Sequence, residues 1–240
     1  MTALQSLRQT NSALETTQSR ISTGLRVAEA KDNAAYWSIA TTMRSDNKAL
    51  STVQDALGLG ASRIDVAYTA MSSVVEVVDE IKQKVLAAIG ASDSDKIKIQ
   101  TEIDTLQEQL KFIADAATFS GTNWLSVDTS TDPVPGTAPT AQIVSAFNRA
   151  SNGDITIGTI DIDVQSIKLY DAGAPAASQV TKGLLEGLRL TTTGARDDTA
   201  TVAVGGTVAG TDGYAVASLS VVGFTDVQLQ SMLTVVDASL

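Results

Sequence analysis

Residues 50–88, LSTVQDALGLGASRIDVAYTAMSSVVEVVDEIKQKVLAA, decide the fold. Leu50, Val53, Leu57, Gly60, Ile64, Ala67, Met71, Val74, Val78, Ile81, Val85 and Ala88 succeed one another in alternating steps of three and four, a heptad seam in which only Gly60 is a weak member. At ~1.5 Å rise per residue the seam alone spans ~58 Å, too long for an ordinary globular helix, so it predicts an elongated bundle. A second seam, Ile99, Ile103, Leu106, Leu110, Ile113 and Ala117, follows the polar stretch 90–95. Gly90 suits the end of the first helix, and Ser92 or Asp93 the cap of the next, which predicts an antiparallel hairpin.

Upstream, residues 4–25 carry a weaker seam, Leu4, Leu7, Asn11, Leu14, Gln18, Ile21 and Leu25, with two polar members, and are not expected to fold alone. Downstream, Thr225 and Asp226 form a cap signal, after which Leu229, Leu233, Val236 and Leu240 resume the spacing. A seam that stops in mid-course reads as a chain cut short at its C-terminus. By itself such a chain is expected to remain a monomer or weak oligomer.

Helix breakers are confined to one half: 13 of the 17 Gly and all 4 Pro lie beyond residue 120. Residues 142–148, 155–157, 160–164 and 167–170 read as short strands separated by Ser-Asn-Gly-Asp and Gly-Thr turns, with weaker candidates at 201–204 and 214–222. Ile160, Ile162 and Val164 are expected on one face, and Asp161 and Asp163 on the other. The fold class is α+β, an elongated antiparallel coiled-coil-like helix bundle with a β-rich outer lobe. The expected parts are an N-terminal core or spoke segment (1–32), the long helical hairpin (33–120), the β-rich hairpin and variable lobe (121–225) and the start of a C-terminal bundle helix (226–240).

The 240-residue chain has no Cys and no His, which excludes disulfides, thiol nucleophiles, His-bearing metal sites and Ser-His-Asp catalysis. A formal charge of -10 repels phosphate backbones and anionic lipid, so neither nucleic acid nor membrane is an expected partner. With 43% apolar but only 4% aromatic residues, the core must be built from Ala, Val, Leu and Ile. No apolar run approaches a membrane span, and the start MTALQSLRQTNSALE lacks the basic head and apolar stretch of a cleaved signal peptide. The pairs Asp93/Asp95, Asp161/Asp163 and Asp197/Asp198 sit in no calcium-loop pattern and read as solvated faces. Gly58-Leu59-Gly60 lies inside the heptad, without the strand or third glycine of a dinucleotide loop. No catalytic residue, metal site or cofactor is expected. Thr191-Thr192-Thr193 is a candidate loop for O-glycosylation.

SRISTGLRV at 19–27 and AKDNAA at 30–35, directly before the long heptad helix, resemble the N-terminal signature of bacterial flagellin. The likeness continues through both helices, the exit TFSGTNWL at 118–125, the hairpin 154–164 and the start of a C-terminal helix at 226–240. Tyr36-Trp37 departs from the Gly-Leu common in that family. Gly24 permits a bend between two helices, and Asp32 is placed to cap the second. The signature or assembly residues are Gly24, Leu25, Arg26, Lys31, Asp32, Ala34 and Ala35. The resemblance implies a non-enzymatic structural subunit, exported without a cleaved signal peptide and stacked outside the cell with other flagellin subunits into a motility filament. It also implies an export chaperone and cap or junction proteins as partners. Two alternatives share the scaffold. One is a hook-filament junction protein. The other is a cell-surface adhesin whose Trp124, Phe147, Tyr170, Tyr214 and Phe224 would stack on a surface polysaccharide.

Overall fold

The computed structural model describes residues 2–130, 138, 140–150, 152–173, 182–202 and 212–240. Three long helices come first: α1 (Thr2–Thr23), α2 (Ala34–Ala88) and α3 (Asp93–Ala116). Short strands follow, β1 (Thr118–Phe119), β2 (Thr122–Asn123) and β3 (Ser126–Val127), and then the longer β4 (Ala141–Arg149) and β5 (Ile155–Ile162). The turn-rich remainder holds α4 (Val164–Ile167), β6 (Tyr170–Asp171), β7 (Arg189–Leu190), β8 (Thr201–Val202), β9 (Asp212–Tyr214) and α5 (Asp226–Asp237). The chain divides into two compact units, one of residues 1–56 and 145–158, the other of residues 57–144 and 159–240. Residues of α2, β4 and β5 contribute to both.

In the second unit the seams become core. Val74, Val78, Ile81, Val85 and Ala88 of α2 are buried in one cluster with Ile103, Leu106, Leu110 and Ala114 of α3. Gly90 closes α2 at φ +76°, a conformation that costs a glycine little, and Ser92 caps α3 by accepting the Asp95 N–H. Across the hairpin, Lys84 Nζ meets Glu102 at 2.5 Å. The weak seam member has a reason: a Cβ on Gly60 would fall 2.5 Å from Cγ2 of Ile143 in β4. The seam narrows there to let β4 lie against the helix.

The exit from α3 is stapled by one side chain. Asn123 donates to the Ala114 carbonyl at 2.7 Å and accepts the N–H groups of Leu125 and Ser126, satisfying helix-end carbonyls that have no partner in the helix. Ser120 and Gly121 both have positive φ, so β1 and β2 close through the tight turn that matches strand twist.

Fastening of α5 is polar at its start and apolar along its length. Thr225 and Gln228 form a capping box, Asp226 accepts the Gly90 N–H at 3.1 Å, and the buried Lys96 donates to the Phe224 carbonyl at 3.0 Å. Leu229 and Val236 are buried as the spacing predicts, but Met232 and Val235 join them while Leu233 is only half-buried and Leu240 is exposed.

Several strand expectations are corrected. Residues 155–157 and 160–162 belong to one continuous strand, β5, and Val164 opens the short helix α4 instead of sharing a strand face with Ile160 and Ile162. Asp163 has left the strand to cap that helix, accepting the Gln165 N–H at 3.0 Å. Of 167–170 only Tyr170 is strand, in β6 with Asp171, which pairs in parallel with Ser126–Val127. Of the 201–204 candidate, Thr201–Val202 forms β8, and residues 203–204 lie outside the described residues.

Residues 216–222 form no strand. Their polar backbone groups are taken by α3 instead: Gln107 donates to the carbonyls of Val216 and Leu219, and Gln100 accepts the Val221 N–H at 2.7 Å. A buried backbone group needs a partner, and two glutamines supply it where a neighbouring strand would otherwise be required.

In the first unit, the Arg149 guanidinium at the end of β4 reaches Asp46 of α2, Nε at 2.9 Å and Nη2 at 2.8 Å.

Candidate assembly surfaces

The signature residues form the turn between α1 and α2. Gly24 takes φ +68° just after α1 ends, as the bend requires, and Leu25 is half-buried beside it. Arg26 is exposed, Lys31 pairs with Glu29 at 2.6 Å in solvent, and Ala34 and Ala35 are exposed in the first turn of α2. Ser12, Glu15, Ser19 and Arg20 of α1 face Glu29, Lys31 and Asp32 across a polar recess of about 410 Å³.

Asp32 does not cap α2. Its Oδ2 accepts the N–H groups of Ala28 at 3.1 Å and Glu29 at 3.3 Å, closing the turn that precedes the helix. These two donors, Glu29 first, hold its carboxyl below the ordinary range. The cap is the next residue: Asn33 Oδ1 accepts the Tyr36 N–H at 3.1 Å. Asn and Asp are equally good caps, so composition could not separate two neighbours. Asn33→Ala should destabilise the first turn by about 1 kcal/mol and speed hydrogen exchange at Tyr36, while Asp32→Ala leaves that exchange unchanged. The reverse pattern would restore Asp32 as the cap.

The aspartate pairs each serve local structure. Asp95 accepts from Ser92 and Lys98 in the first turn of α3, Asp163 caps α4, and Asp197 accepts both the N–H and the hydroxyl of Thr199. Among the described residues no group of three or more His, Cys, Asp or Glu could hold a metal ion, and no helix is long and apolar enough to cross a membrane.

What the described surface does present is uncovered apolar area. No residue of α1 is buried, so Leu4, Leu7, Leu14 and Ile21 are all exposed, as are Tyr36, Ile39 and Met43 of α2. In the second unit, Phe112 and Tyr68 are 76% and 74% exposed. Beside Phe112 lies an apolar groove of about 490 Å³, its walls formed by Val66, Ala70 and Ser73 of α2 and by Phe112, Ile113 and Ala116 of α3. Heptad spacing does not reveal this groove, because Tyr68 and Phe112 sit one residue off the two seams. The available signal was compositional: two of ten aromatics stand next to seam positions without belonging to them.

Residues 1–129 match the family model described as the bacterial flagellin N-terminal helical region. The chain is 44% identical over 238 residues to Flagellin C of Rhizobium meliloti (strain 1021), an alignment covering 99% of this chain and 71% of that protein. It is 55% identical over 166 residues to Flagellin A of the same strain, covering 69% of this chain and 41% of that protein. Flagellin of Brucella melitensis biotype 1 is 46% identical over 179 residues, with 72% and 60% covered. The chain thus spans about two fifths of the length of Flagellin A.

Proposed function

The chain belongs to the bacterial flagellin family, and from that premise we propose that it is a structural subunit of the flagellar filament, held to its neighbours by packing of helix-bundle faces. The observation that carries this reading is the match to Flagellin C along 99% of the chain. Its physical counterpart is the uncovered apolar surface: a helix of 22 residues with no buried side chain is marginal in water, and α1 needs a neighbour to remain ordered.

The location that follows is extracellular, in the flagellum, reached through the flagellar export route without a cleaved signal peptide. An export chaperone and cap or junction proteins are the further partners of that route. Absence of Cys suits a subunit that must cross a channel unfolded without cross-linking. The signature residues Gly24, Leu25, Arg26, Lys31, Asp32, Ala34 and Ala35 act as the articulation between α1 and α2, which lets two assembly helices take separate partners.

Because the chain has no thiol, a single introduced cysteine reports its position. Thr192 is exposed, so Thr192→Cys expressed in the bacterium that encodes the chain should give filaments that stain along their length with a membrane-impermeant maleimide dye, an outcome that replaces the expectation of a monomer or weak oligomer once the chain is among its assembly partners. Dye confined to shed monomer, or absent from the cell exterior, would refute the filament role.

A further inference from the structure

We propose that the apolar groove between α2 and α3 receives the isoleucine ridge of β5 from a second copy of the chain; this rests on the filament reading. The groove is built of small residues, Ala70, Ser73 and Ala116, between the larger Val66, Phe112 and Ile113, and among the described residues Asp65 is the one charged residue that lines it. Phe112 stands 76% exposed at its side, an aromatic that a covered interface core would favour and an isolated surface would not.

The complementary feature is on β5. Ile155 and Ile157, two residues apart and so on one face, are 52% and 62% exposed, and residues 155–160 carry no charge. Among the described residues the sheet of β4 and β5 has only these two strands, which leaves the outer edge of β5 unpaired. Solvent-facing edge strands are ordinarily blunted by charge, Pro or a bulge; β5 carries a charge only near its end, Asp161, and its exposed stretch 155–157 is apolar edge of the kind that an assembly covers.

A second copy is the occupant because groove and ridge match in chemistry: a concave site lined by one charge and an isoleucine ridge that is free of charge between Asp154 and Asp161. The two features belong to different residues of one chain, so two copies can pair reciprocally about a two-fold axis or engage head to tail, and the filament reading selects the head-to-tail, heterologous arrangement. Each copy offers one groove and one ridge, so in a filament each subunit links two neighbours, whereas a reciprocal two-fold pair stops at the dimer.

The test uses filaments made in cells by the chain carrying both Ser73→Cys and Ile157→Cys, oxidised and run under denaturing conditions. A ladder of dimers, trimers and longer chains is expected, because each subunit links one neighbour through its groove and another through its ridge. Either single variant should remain monomeric, as should Leu86→Cys combined with Ile157→Cys. Filaments that form but give no ladder overturn the groove and ridge contact while leaving the filament reading intact. Dimers from Ser73→Cys alone overturn it in favour of a groove facing a groove. If Thr192→Cys yields no stained filaments, the filament reading falls and the contact with it. A second readout guards against perturbation by cysteine: Phe112→Asp, at a side chain already in solvent, should fold normally yet shorten filaments at least tenfold, and unchanged length would count against the proposal.

Discussion

Asp171→Ala is expected to destabilise the second unit by about 3–5 kcal/mol, measured as a fall in the denaturant midpoint at pH 7. Lys168 and Asp171 are fully enclosed, with Nζ 2.5 Å from Oδ2. Thr129 donates its N–H and its hydroxyl to the same carboxylate, and the Gly173 N–H adds a further bond. Removing the carboxylate leaves an ammonium in a site without solvent, which is the costly event. Removing both charges costs less: Lys168→Met together with Asp171→Leu should recover part of the loss, the remainder reflecting the Thr129 and Gly173 donors left without their acceptor. A double variant as unstable as Asp171→Ala would show that the site depends on shape and not on charge balance.

The same pair sets a pH dependence. Burial alone pushes the Asp171 carboxyl up, but the Lys168 ammonium and the Thr129 and Gly173 donors outweigh it and hold the group below its ordinary value. A depressed folded pKa contributes stability that is whole above the unfolded value of about 3.9 and is lost as pH falls from there through the folded pKa. The gap between the wild-type chain and Asp171→Asn should therefore be constant from pH 7 to about 5 and narrow below about 4. A gap that widens on acidification would mean that the carboxylate is not the stabilising form.

Nothing in the local pattern of Ile167-Lys168-Leu169-Tyr170-Asp171 announces this pair. Strand alternation places a lysine between apolar neighbours in solvent, and the observed burial depends on residues 129 and 186, which sequence spacing does not connect to 168. The glutamines of α3 are similar: Gln100 and Gln107 are separated from the backbone they hold by 109 to 121 residues. Legible features were those whose cause lies within one turn or one repeat. The two seams, Gly90 at a helix end, the Ser92 cap and the Thr225 cap each depend on neighbours three or four positions away. Residues 216–222 are β-rich in composition, yet side chains from a distant helix satisfy that backbone in place of a neighbouring strand. The turn at residues 24–35 lies between these cases. Its bend at Gly24 follows from conformational freedom, while the exchange of roles between Asp32 and Asn33 required atomic positions.

Periodicity reports which face of a helix is apolar and not what covers it, and α2 separates the two. Ile81→Ala should cost about 2–5 kcal/mol in thermal or denaturant unfolding of the chain, whereas Leu50→Ala should cost less than about 1 kcal/mol. Both occupy the same seam by spacing. Ile81 is fully buried in the cluster with Ile103 and Leu110, while Leu50 is 47% exposed, and neighbouring Val53 and Leu57 are only half-buried. Truncating Ile81 opens a cavity that rigid neighbours cannot fill, and truncating Leu50 exchanges one partly hydrated surface for another. In assembled filaments the ranking should change: if residues 50–57 are covered by neighbouring subunits, Leu50→Ala leaves the free chain's stability intact but weakens assembly. Equal losses for Ile81→Ala and Leu50→Ala in the dispersed chain would mean that the whole seam is already intramolecular core, leaving that part of α2 with no apolar face to offer a neighbour.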